Sequence, residues 1–184
     1  MSLGGDWDPG SVTGFDDDVR AEGEPEREFH AGVAARLPRK SVSGGALVRD
    51  TAGLVLLLRP TYKPTLEIPG GVAEAGESPL AACRREVKEE LGLALPIGRA
   101  LVVDWIPVHG PWPDQLAFVF DGGVLDAATV ARMVPDPVEV AGVEFLTLAA
   151  ATDRLRPSMA RRLAAAVVAA EAGETVYAEF GRPV

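Results

Sequence analysis

The sequence contains a single cysteine, Cys83, so no disulfide can form within the chain. A chain without disulfides agrees with the reducing conditions of the cytoplasm, which is the location we expect. The first residues, 1–6, have neither the basic region nor the apolar core of a secretory signal. No apolar stretch reaches the ~20 residues that span a bilayer. The sequence therefore predicts a cytoplasmic protein without a membrane partner.

Positive charge is also scarce. Lysine occurs only as Lys40, Lys63 and Lys88, and the net charge is −9 at pH 7. Because binding to nucleic acid depends on basic side chains that neutralise phosphates, this composition argues against a nucleic-acid partner. An acidic protein that handles an anionic phosphate substrate needs metal ions or local arginines to offset the repulsion between them.

The chain of 184 residues, 47% of them apolar, is long enough for one domain with an ordinary core, which we expect at residues 41–184. Residues 1–40 differ from the rest. They contain the acidic residues Asp16, Asp17, Asp18, Glu22, Glu24, Glu26 and Glu28 and few large apolar ones. This composition predicts an acidic, solvated N-terminal arm. The alternative is a partner-binding element through which the chain forms a homodimer.

The most informative stretch of the sequence begins at Gly70. Gly70 and Gly71 follow a proline at the end of an apolar segment, where they permit a sharp turn of the backbone. Ser78 is a good N-cap and Pro79 suits the first helical position. Gly92 is a natural C-terminal cap. The pattern predicts a helix that starts at Pro79 and stops at Gly92.

Three glutamates share one side of the predicted helix. Glu86, Glu89 and Glu90 are spaced i, i+3 and i+4. A separate stripe, expected to face the core, is formed by Leu80, Cys83, Val87 and Leu91. Like charges at i, i+4 destabilise a helix by several tenths of a kcal/mol, a cost that a bound cation would remove. Mg²⁺ suits such a cluster because it prefers a few carboxylates together with water and substrate phosphate. In the apolar stripe, Cys83 is interpreted as a packed small hydrophobe and not as a nucleophile.

The same stretch matches the pattern G-x5-E-x7-R-E-U-x-E-E-x-G-U, in which U is aliphatic. Its fixed positions are filled by Gly71, Glu77, Arg85, Glu86, Val87, Glu89, Glu90, Gly92 and Leu93. This pattern is the Nudix box, and the chain resembles the Nudix hydrolases. Nine matched positions over 23 residues, with none departing, make the resemblance specific.

The resemblance implies roles for the residues of the box. Glu86, Glu89 and Glu90 would ligate a divalent metal ion, Mg²⁺ or Mn²⁺, with the Gly70 carbonyl as a further ligand. The catalytic set is completed by Glu77 and Arg85, which would form an ion pair that fixes the loop against the helix. The general base differs among relatives. Glu86 is one candidate, and a glutamate outside the box is another.

The remaining pattern predicts strands at residues 43–48, 54–58, 66–68, 99–106, 116–120 and 139–146, a second helix at 157–172 and a last extended segment at 175–180. Residues 31–37 could hold a short helix or strand. A turn at 49–53 favours a hairpin, residues 59–64 are expected in a loop, and residues 107–114 are irregular because they hold three prolines and a glycine. Glycines 122–123 are expected to close the strand before them. Without strict βαβ alternation, this order predicts an α+β fold with a mixed sheet packed between helices. The resemblance implies the α/β/α sandwich of the Nudix fold.

Three residues outside the box are candidates for contact with the substrate. Arg59 could meet a phosphate, and Trp112, in the proline-rich loop, could stack on a nucleobase. Glu139, at the end of a loop before a late strand, could add a metal ligand or a base, with Glu144 as the alternative. For Arg59 and the glutamates, the competing interpretation is a solvated side chain without a role, and for Trp112 it is packing in the core.

The sequence thus predicts a Mg²⁺-dependent Nudix pyrophosphohydrolase. Its small-molecule partner would be a nucleoside diphosphate linked to another moiety, as in an NTP, a nucleotide sugar, ADP-ribose or a dinucleotide. The alternative is a regulatory protein of the Nudix fold that binds a nucleotide without turnover. Such a sensor has no need of all three metal-binding carboxylates. No motif downstream of Leu93 selects among the substrates.

Overall fold

The computed structural model describes residues 15–24 and 27–184, which fall into two compact units divided between Arg39 and Lys40. The first unit contains two short helices, α1 (Phe15–Ala21) and α2 (Val33–Arg36). The Glu28 carboxylate accepts hydrogen bonds from the backbone N–H groups of Gly32 and Ala34 at the start of α2. Helix α2 lies inside the segment 31–37, as predicted. The remainder of the predicted arm, residues 1–14 and 25–26, lies outside the described residues.

The second unit is built on one mixed sheet. Its strands are β1 (Ser41–Asp50), β2 (Val55–Pro60), β3 (Gly70–Val72), β4 (Ala100–Ile106), β5 (Gln115–Leu125), β6 (Val140–Leu146), β7 (Val176–Glu179) and β8 (Arg182–Pro183). They are ordered β6-β2-β1-β5-β4-β7-β8, with β3 paired to β1. The β1–β5 and β4–β7 pairs are parallel and the others are antiparallel. The helices of this unit are α3 (Pro79–Leu91), α4 (Ala127–Val130), α5 (Leu148–Thr152) and α6 (Pro157–Ala172).

Alternation of side chains along the central strands produces two cores, one on each face of the sheet. Ala46 and Val48 of β1 belong to the core that contains Val87 and Leu91 of α3. Leu47, between them, belongs to the core that contains Leu163 of α6. Helices therefore cover both faces, and the predicted mixed sheet between helices is confirmed.

Helix α3 begins and ends where the sequence predicted. The Ser78 hydroxyl oxygen accepts a hydrogen bond from Ala81 N at 3.1 Å, Pro79 is the first helical residue, and Gly92 has the left-handed φ of 67° that favours glycine at this position. Cys83 is buried on the apolar side, where desolvation raises the pKa of its thiol to about 12. A thiol in that state is not a nucleophile, which agrees with the packing role expected for it.

The short strand beside β1 lies later in the chain than expected. Residues 66–68 make a single bridge, between Glu67 and Leu58, and the strand that pairs with β1 is Gly70–Val72. Leu66 and Ile68 are buried, which is why their pattern resembles a strand. Glycines permit the actual pairing, because a Cβ on Gly70 would lie 2.4 Å from the Cα of Gly45. Strand β2 also extends to Pro60, where a loop was predicted to begin at residue 59.

Strand β5 does not close at its two glycines, contrary to the prediction. Leu47 of β1 lies opposite Asp121, whereas Arg49 lies opposite Val124, so β5 has an extra residue at this point. Gly123, with φ of 77°, adopts the left-handed conformation that glycine provides in one class of bulge. The glycines therefore interrupt the pairing locally, and the strand continues to Leu125.

None of the helices in the described ranges, 15–24 and 27–184, has the length and apolar character needed to cross a membrane.

Candidate active site

The backbone of β3 presents one glycine to the acidic side of α3. Hydrogen bonds from Ala46 N to Pro69 O, at 2.8 Å, and from Ala73 N to Val42 O, at 2.9 Å, set the alternation between β1 and β3. In this antiparallel register the N–H and C=O groups of Gly70 point away from β1. The Gly70 N–H donates to Glu90 Oε2 at 2.8 Å. The carboxylate of Glu90 is thereby held beside the glycine turn.

Two carboxyl groups of α3 are held in surroundings that disfavour their charge. Burial raises the pKa of Glu90 to about 8; the Gly70 N–H opposes the shift, and the nearby charges of Glu86 and Glu139 add to it. Burial also raises the pKa of Glu86, against the effect of Arg85. Such desolvated neighbouring carboxylates favour a cation between or beside them.

Arg85 connects the loop that follows β3 to the carboxylates of α3. Its Nε and Nη2 atoms donate to the two oxygens of Glu77, each at 3.0 Å, and Nη2 also donates to Val72 O at 3.2 Å. Its Nη1 atom donates to Glu86 Oε1 at 2.8 Å and to Glu89 Oε2 at 3.0 Å. The guanidinium lowers the pKa of Glu77. The structure thus contains the ion pair that the resemblance implied, and the same arginine also reaches two of the three glutamates.

The donor set at α3 suits a hard divalent cation. The described residues contain no group of three or more His, Cys, Asp or Glu side chains that already forms a metal cage. Mg²⁺ does not require one, since it usually takes one or two carboxylates and completes its shell with water and substrate phosphates. Glu86 and Glu90 are partly buried carboxylates, and the Gly70 C=O points away from its strand partner. Glu89, whose side chain is 55% exposed, has Arg85 as its side-chain partner among the described residues.

Gly71 provides the space that Glu86 occupies. A Cβ at position 71 would lie 2.3 Å from Glu86 Oε1 and 2.4 Å from its Cδ atom. A side chain at this position would therefore displace the carboxylate, which explains in steric terms why glycine stands here.

The candidate residues outside the box, Glu139, Glu144 and Arg59, differ in whether the structure brings them towards the box. Glu139 is exposed just before β6, and its charge acts on the pKa values of both Glu86 and Glu90. Glu144, the alternative, accepts hydrogen bonds from the two terminal guanidinium nitrogens of Arg154, Nη1 and Nη2. Arg59 donates to Ala141 O at 2.9 Å and does not line the cleft described next. The structure thus brings Glu139, and not Glu144 or Arg59, towards the box.

A cleft runs from the glycine turn into a wider cavity. The narrow part, about 280 Å³, is lined by Gly70 and Gly71, by β1 and β5, and by Met159 and Arg162 of α6. The wide part, about 650 Å³, shares with it Glu67, Ile106, Gln115, Met159 and Arg162. Trp112 lines the wide part, and the residue is 71% exposed.

Part of this cleft was not predicted from the sequence. Residues of the wide part that were not singled out are Arg156, Arg161, Phe180 and Arg182. The available signal was the placement of three arginines, at 156, 161 and 162, around the start of a helix in an otherwise acidic chain. Nothing in the local pattern indicated that the C-terminal segment would turn back against that helix.

Comparison with known proteins identifies the family. The family model of the NUDIX domain matches residues 39–166. The chain belongs to the Nudix hydrolase family. As a Nudix hydrolase, it is an enzyme that acts on phosphorus-containing acid anhydrides. No curated protein matches the sequence significantly.

Solved structures similar to this Nudix hydrolase include the MutT protein from Methanosarcina mazei Go1, at 25% identity, with 70% of this chain and 96% of that chain covered and a TM-score of 0.56. A UDP-X diphosphatase is 17% identical over 88% of this chain and 74% of that one, with a TM-score of 0.61. A C. elegans Ap4A hydrolase is 21% identical over 72% and 98%, with a TM-score of 0.57. At these identities the last two comparisons concern the fold alone.

Proposed function

We propose that this Nudix hydrolase is a divalent-metal-dependent pyrophosphohydrolase that cleaves the diphosphate linkage of a nucleoside diphosphate joined to another group. The observation that carries the proposal is the set of carboxylates on α3, held by Arg85 and by the backbone of Gly70, a residue that also lines the narrow part of the cleft. The names of two similar structures, an Ap4A hydrolase and a UDP-X diphosphatase, support nucleotide substrates of this kind.

Under this proposal Glu86, Glu89, Glu90 and the Gly70 carbonyl hold Mg²⁺ or Mn²⁺. When bound, such a cation screens the phosphate charges and lowers the pKa of a water molecule. Arg85 and Glu77 position the carboxylates, because the guanidinium joins the loop to α3 through hydrogen bonds to both. Glu77 in turn accepts the N–H of Glu74 at 2.9 Å, which fixes the loop itself.

We assign Glu139 as the general base. Its carboxylate is exposed to solvent, and its backbone is fixed by a hydrogen bond from Thr61 N to Glu139 O at 2.9 Å. It would accept a proton from the attacking water. The oxygen of that water forms a bond to one phosphorus while the bond from this phosphorus to the bridging oxygen breaks. The products are the two phosphorylated parts of the substrate, which carry both protons of the water between them once Glu139 has released its proton.

The test is a product screen of the purified protein with nucleoside triphosphates, nucleotide sugars, ADP-ribose, dinucleotides and CoA, in Mg²⁺, in Mn²⁺ and in EDTA. We expect metal-dependent cleavage of one class. Glu90→Gln should fold normally and lose activity on the order of 10²–10³-fold, the usual effect of removing one group that stabilises charge in the transition state. Glu171→Gln, an exposed change on α6, is the matched control.

Near-normal turnover of Glu90→Gln in Mg²⁺ would refute the assignment of the metal ligands. If the whole panel is inert and one nucleotide raises the melting temperature, the regulatory alternative replaces the enzyme.

We further propose that residues 1–40 form an acidic arm outside the catalytic domain at 41–184. The side chains described between residues 18 and 40 are exposed, apart from the partly buried Val33, and Asp18, Glu22, Glu24 and Glu28 are among them. This supports a solvated arm. A homodimer held through the arm is the outcome that would replace it.

A further inference from the structure

The wide part of the cleft is a second compartment that the chemistry at the box does not require. Three segments of the catalytic unit form it: the proline-rich loop, the first turns of α6 and the turn between β7 and β8. Its volume of about 650 Å³ exceeds the about 280 Å³ next to Gly70 and Gly71. Because the two parts share lining residues, a ligand at the glycine turn can extend into it.

The turn between β7 and β8 holds an aromatic ring at this compartment in an unusual backbone conformation. Phe180 has φ of 52°, the one positive value outside glycine among the described residues. Its N–H donates to Trp105 O at 2.7 Å, and its carbonyl accepts from Arg161 Nη2 at 2.7 Å. Gly181 N donates to the buried carboxylate of Asp104 at 2.9 Å. Non-glycine residues keep such a conformation only where their surroundings fix it, which occurs often at ligand sites.

The ring of Phe180 and the largely exposed Trp112 both line the compartment. The Arg161 guanidinium lies 5.6 Å from the centre of the Phe180 ring. Aromatic rings of this kind offer a flat apolar surface on which a planar ligand ring can stack. The compartment therefore suits an aromatic group.

The compartment is also positively charged, in a protein whose net charge is −9. Four arginines line it, and one of them, Arg162, is neutralised by the buried Asp104 at 2.6 Å. The side chains of Arg156 and Arg182 have no hydrogen bond or ion pair within residues 15–24 and 27–184. The acidic residue in the lining, Glu67, is already paired with Lys63 at 2.8 Å. Unpaired guanidinium groups of this kind recognise phosphate.

We propose that this compartment binds the part of the substrate that lies beyond the scissile diphosphate, as seen from the glycine turn. This part is a nucleoside, in which an aromatic ring is attached to a ribose that carries a phosphate of its own. The inference rests on the proposed function, because it assumes that the scissile diphosphate lies at the glycine turn. Arg156 and Arg182 bind the extra phosphate, and Trp112 and Phe180 stack against the ring. The preferred substrate class is accordingly a phosphorylated dinucleotide or an analogous diphosphate.

Two substrate pairs that differ by a single phosphate test the proposal. NADPH is compared with NADH, and CoA with dephospho-CoA, each in Mg²⁺. We expect kcat/KM of the native protein to favour the phosphorylated member of at least one pair by about tenfold or more, where tenfold corresponds to about 1.4 kcal/mol. The two pairs distinguish a phosphate on the nicotinamide dinucleotide from one on a pantetheine conjugate.

The variant Arg156→Gln/Arg182→Gln should abolish this preference, because kcat/KM of the phosphorylated member falls by about tenfold relative to that of the unphosphorylated member. Arg132→Gln, an exposed arginine outside the cleft, is the control and should change neither value. Trp112→Leu should weaken both members of a pair equally, because the ring is common to them, and Trp112→Phe should restore binding. Measurable hydrolysis with equal kcat/KM within both pairs, or a preference that survives in the double variant, overturns the proposal.

Calorimetric binding of the same four compounds to the native protein separates this inference from the proposed function. If no compound is hydrolysed but the phosphorylated members bind about tenfold more tightly than the unphosphorylated ones, the ligand assigned to the compartment is correct and the proposed turnover is wrong. If hydrolysis occurs without preference, the proposed function stands and the compartment assignment fails. If none of the compounds is bound or hydrolysed, the proposal is wrong.

Discussion

Replacing Gly71 by alanine should damage catalysis and leave the fold intact. A Cβ at this position would lie 2.3 Å from Glu86 Oε1, whereas ordinary contacts of a Cβ begin at 3.4 Å. The backbone of Gly71 does not have a positive φ, so alanine introduces no conformational strain there. The atoms in its way all belong to the flexible side chain of Glu86, namely Oε1, Cδ at 2.4 Å and Cγ at 2.9 Å. The carboxylate of Glu86 can therefore move aside, by roughly 1 Å, without disturbing the sheet.

A displacement of that size is large for a catalytic group, since misplacement by about 1 Å can cost about 10²-fold in rate. We expect kcat/KM of Gly71→Ala to fall by roughly that factor. The melting temperature without metal should change little, because the clash is relieved at the surface of α3. Stabilisation by added Mg²⁺ or Mn²⁺ should shrink, since it depends on affinity for the folded state.

Two glycine variants serve as controls for this experiment. Gly98→Ala places a Cβ 3.4 Å from Asp121 O, an ordinary contact away from the box, and should behave as the native protein does. Gly70→Ala combines φ of 142° with a backbone oxygen at 2.4 Å and should destabilise the fold itself. If Gly71→Ala retains native activity and native stabilisation by metal, then the position of the Glu86 carboxylate is not important for the reaction.

Three further predictions concern stability, pH and the arm. Asp104→Asn should lower the free energy of unfolding, measured with denaturant, by about 3–5 kcal/mol, because it leaves the buried Arg162 without its charged partner. The control is Asp121→Asn, which removes a carboxylate from a partly exposed ion pair and should cost about 1 kcal/mol or less. Equal losses of stability in the two variants would contradict the effect ascribed to burial. In metal-free protein the pKa of Glu90 at about 8 lies above its ordinary 4.5, so the folded state holds this proton more tightly. The contribution of this proton to the stability of the folded state is complete below pH ~4.5 and is lost as the pH rises through 8. In thermal melts as a function of pH, Glu90→Gln should therefore lose less stability over this range than the native protein does. An identical pH profile for the two proteins would refute the raised pKa of Glu90. Deletion of residues 1–30 should leave kcat/KM unchanged, whereas loss of dimer mass or of soluble protein would show that the arm is not merely solvated.

The boundaries of α3 could be predicted because they depend on neighbours in sequence. Ser78, Pro79 and Gly92 act within one turn of the helix ends, and the structure uses them as expected. The two glycines of β5 could not be interpreted in the same way. Gly122 and Gly123 look alike in a sequence whether they end a strand or form a bulge within it, and the decision depends on the register with β1.

In the candidate site, too, the features that depend on neighbours in sequence could be predicted, and those that depend on tertiary contacts could not. The glutamate spacing on α3 is a local property, and so was visible in the pattern. The contact between the Phe180 turn and α6 depends on a tertiary arrangement: a Cβ on Gly181 would lie 2.3 Å from Ser158 O. No short pattern contains that distance. The wide compartment, with Arg156 and Arg182 at its edge, became visible only from the folded chain.

The position of β1 has a consequence for how the chain folds during synthesis. β1 pairs with β2 and β3, which follow it closely, but its longest partner is the parallel strand β5. The hydrogen bond from Ser41 N to Asp114 O joins residues 73 positions apart. Long-range parallel pairing forms slowly, because the closure entropy has to be overcome before the contacts are made. A ribosome that pauses before β5 has emerged leaves the β5-facing edge of β1 unpaired, and this is the interval in which the nascent chain most needs a chaperone against edge-to-edge aggregation.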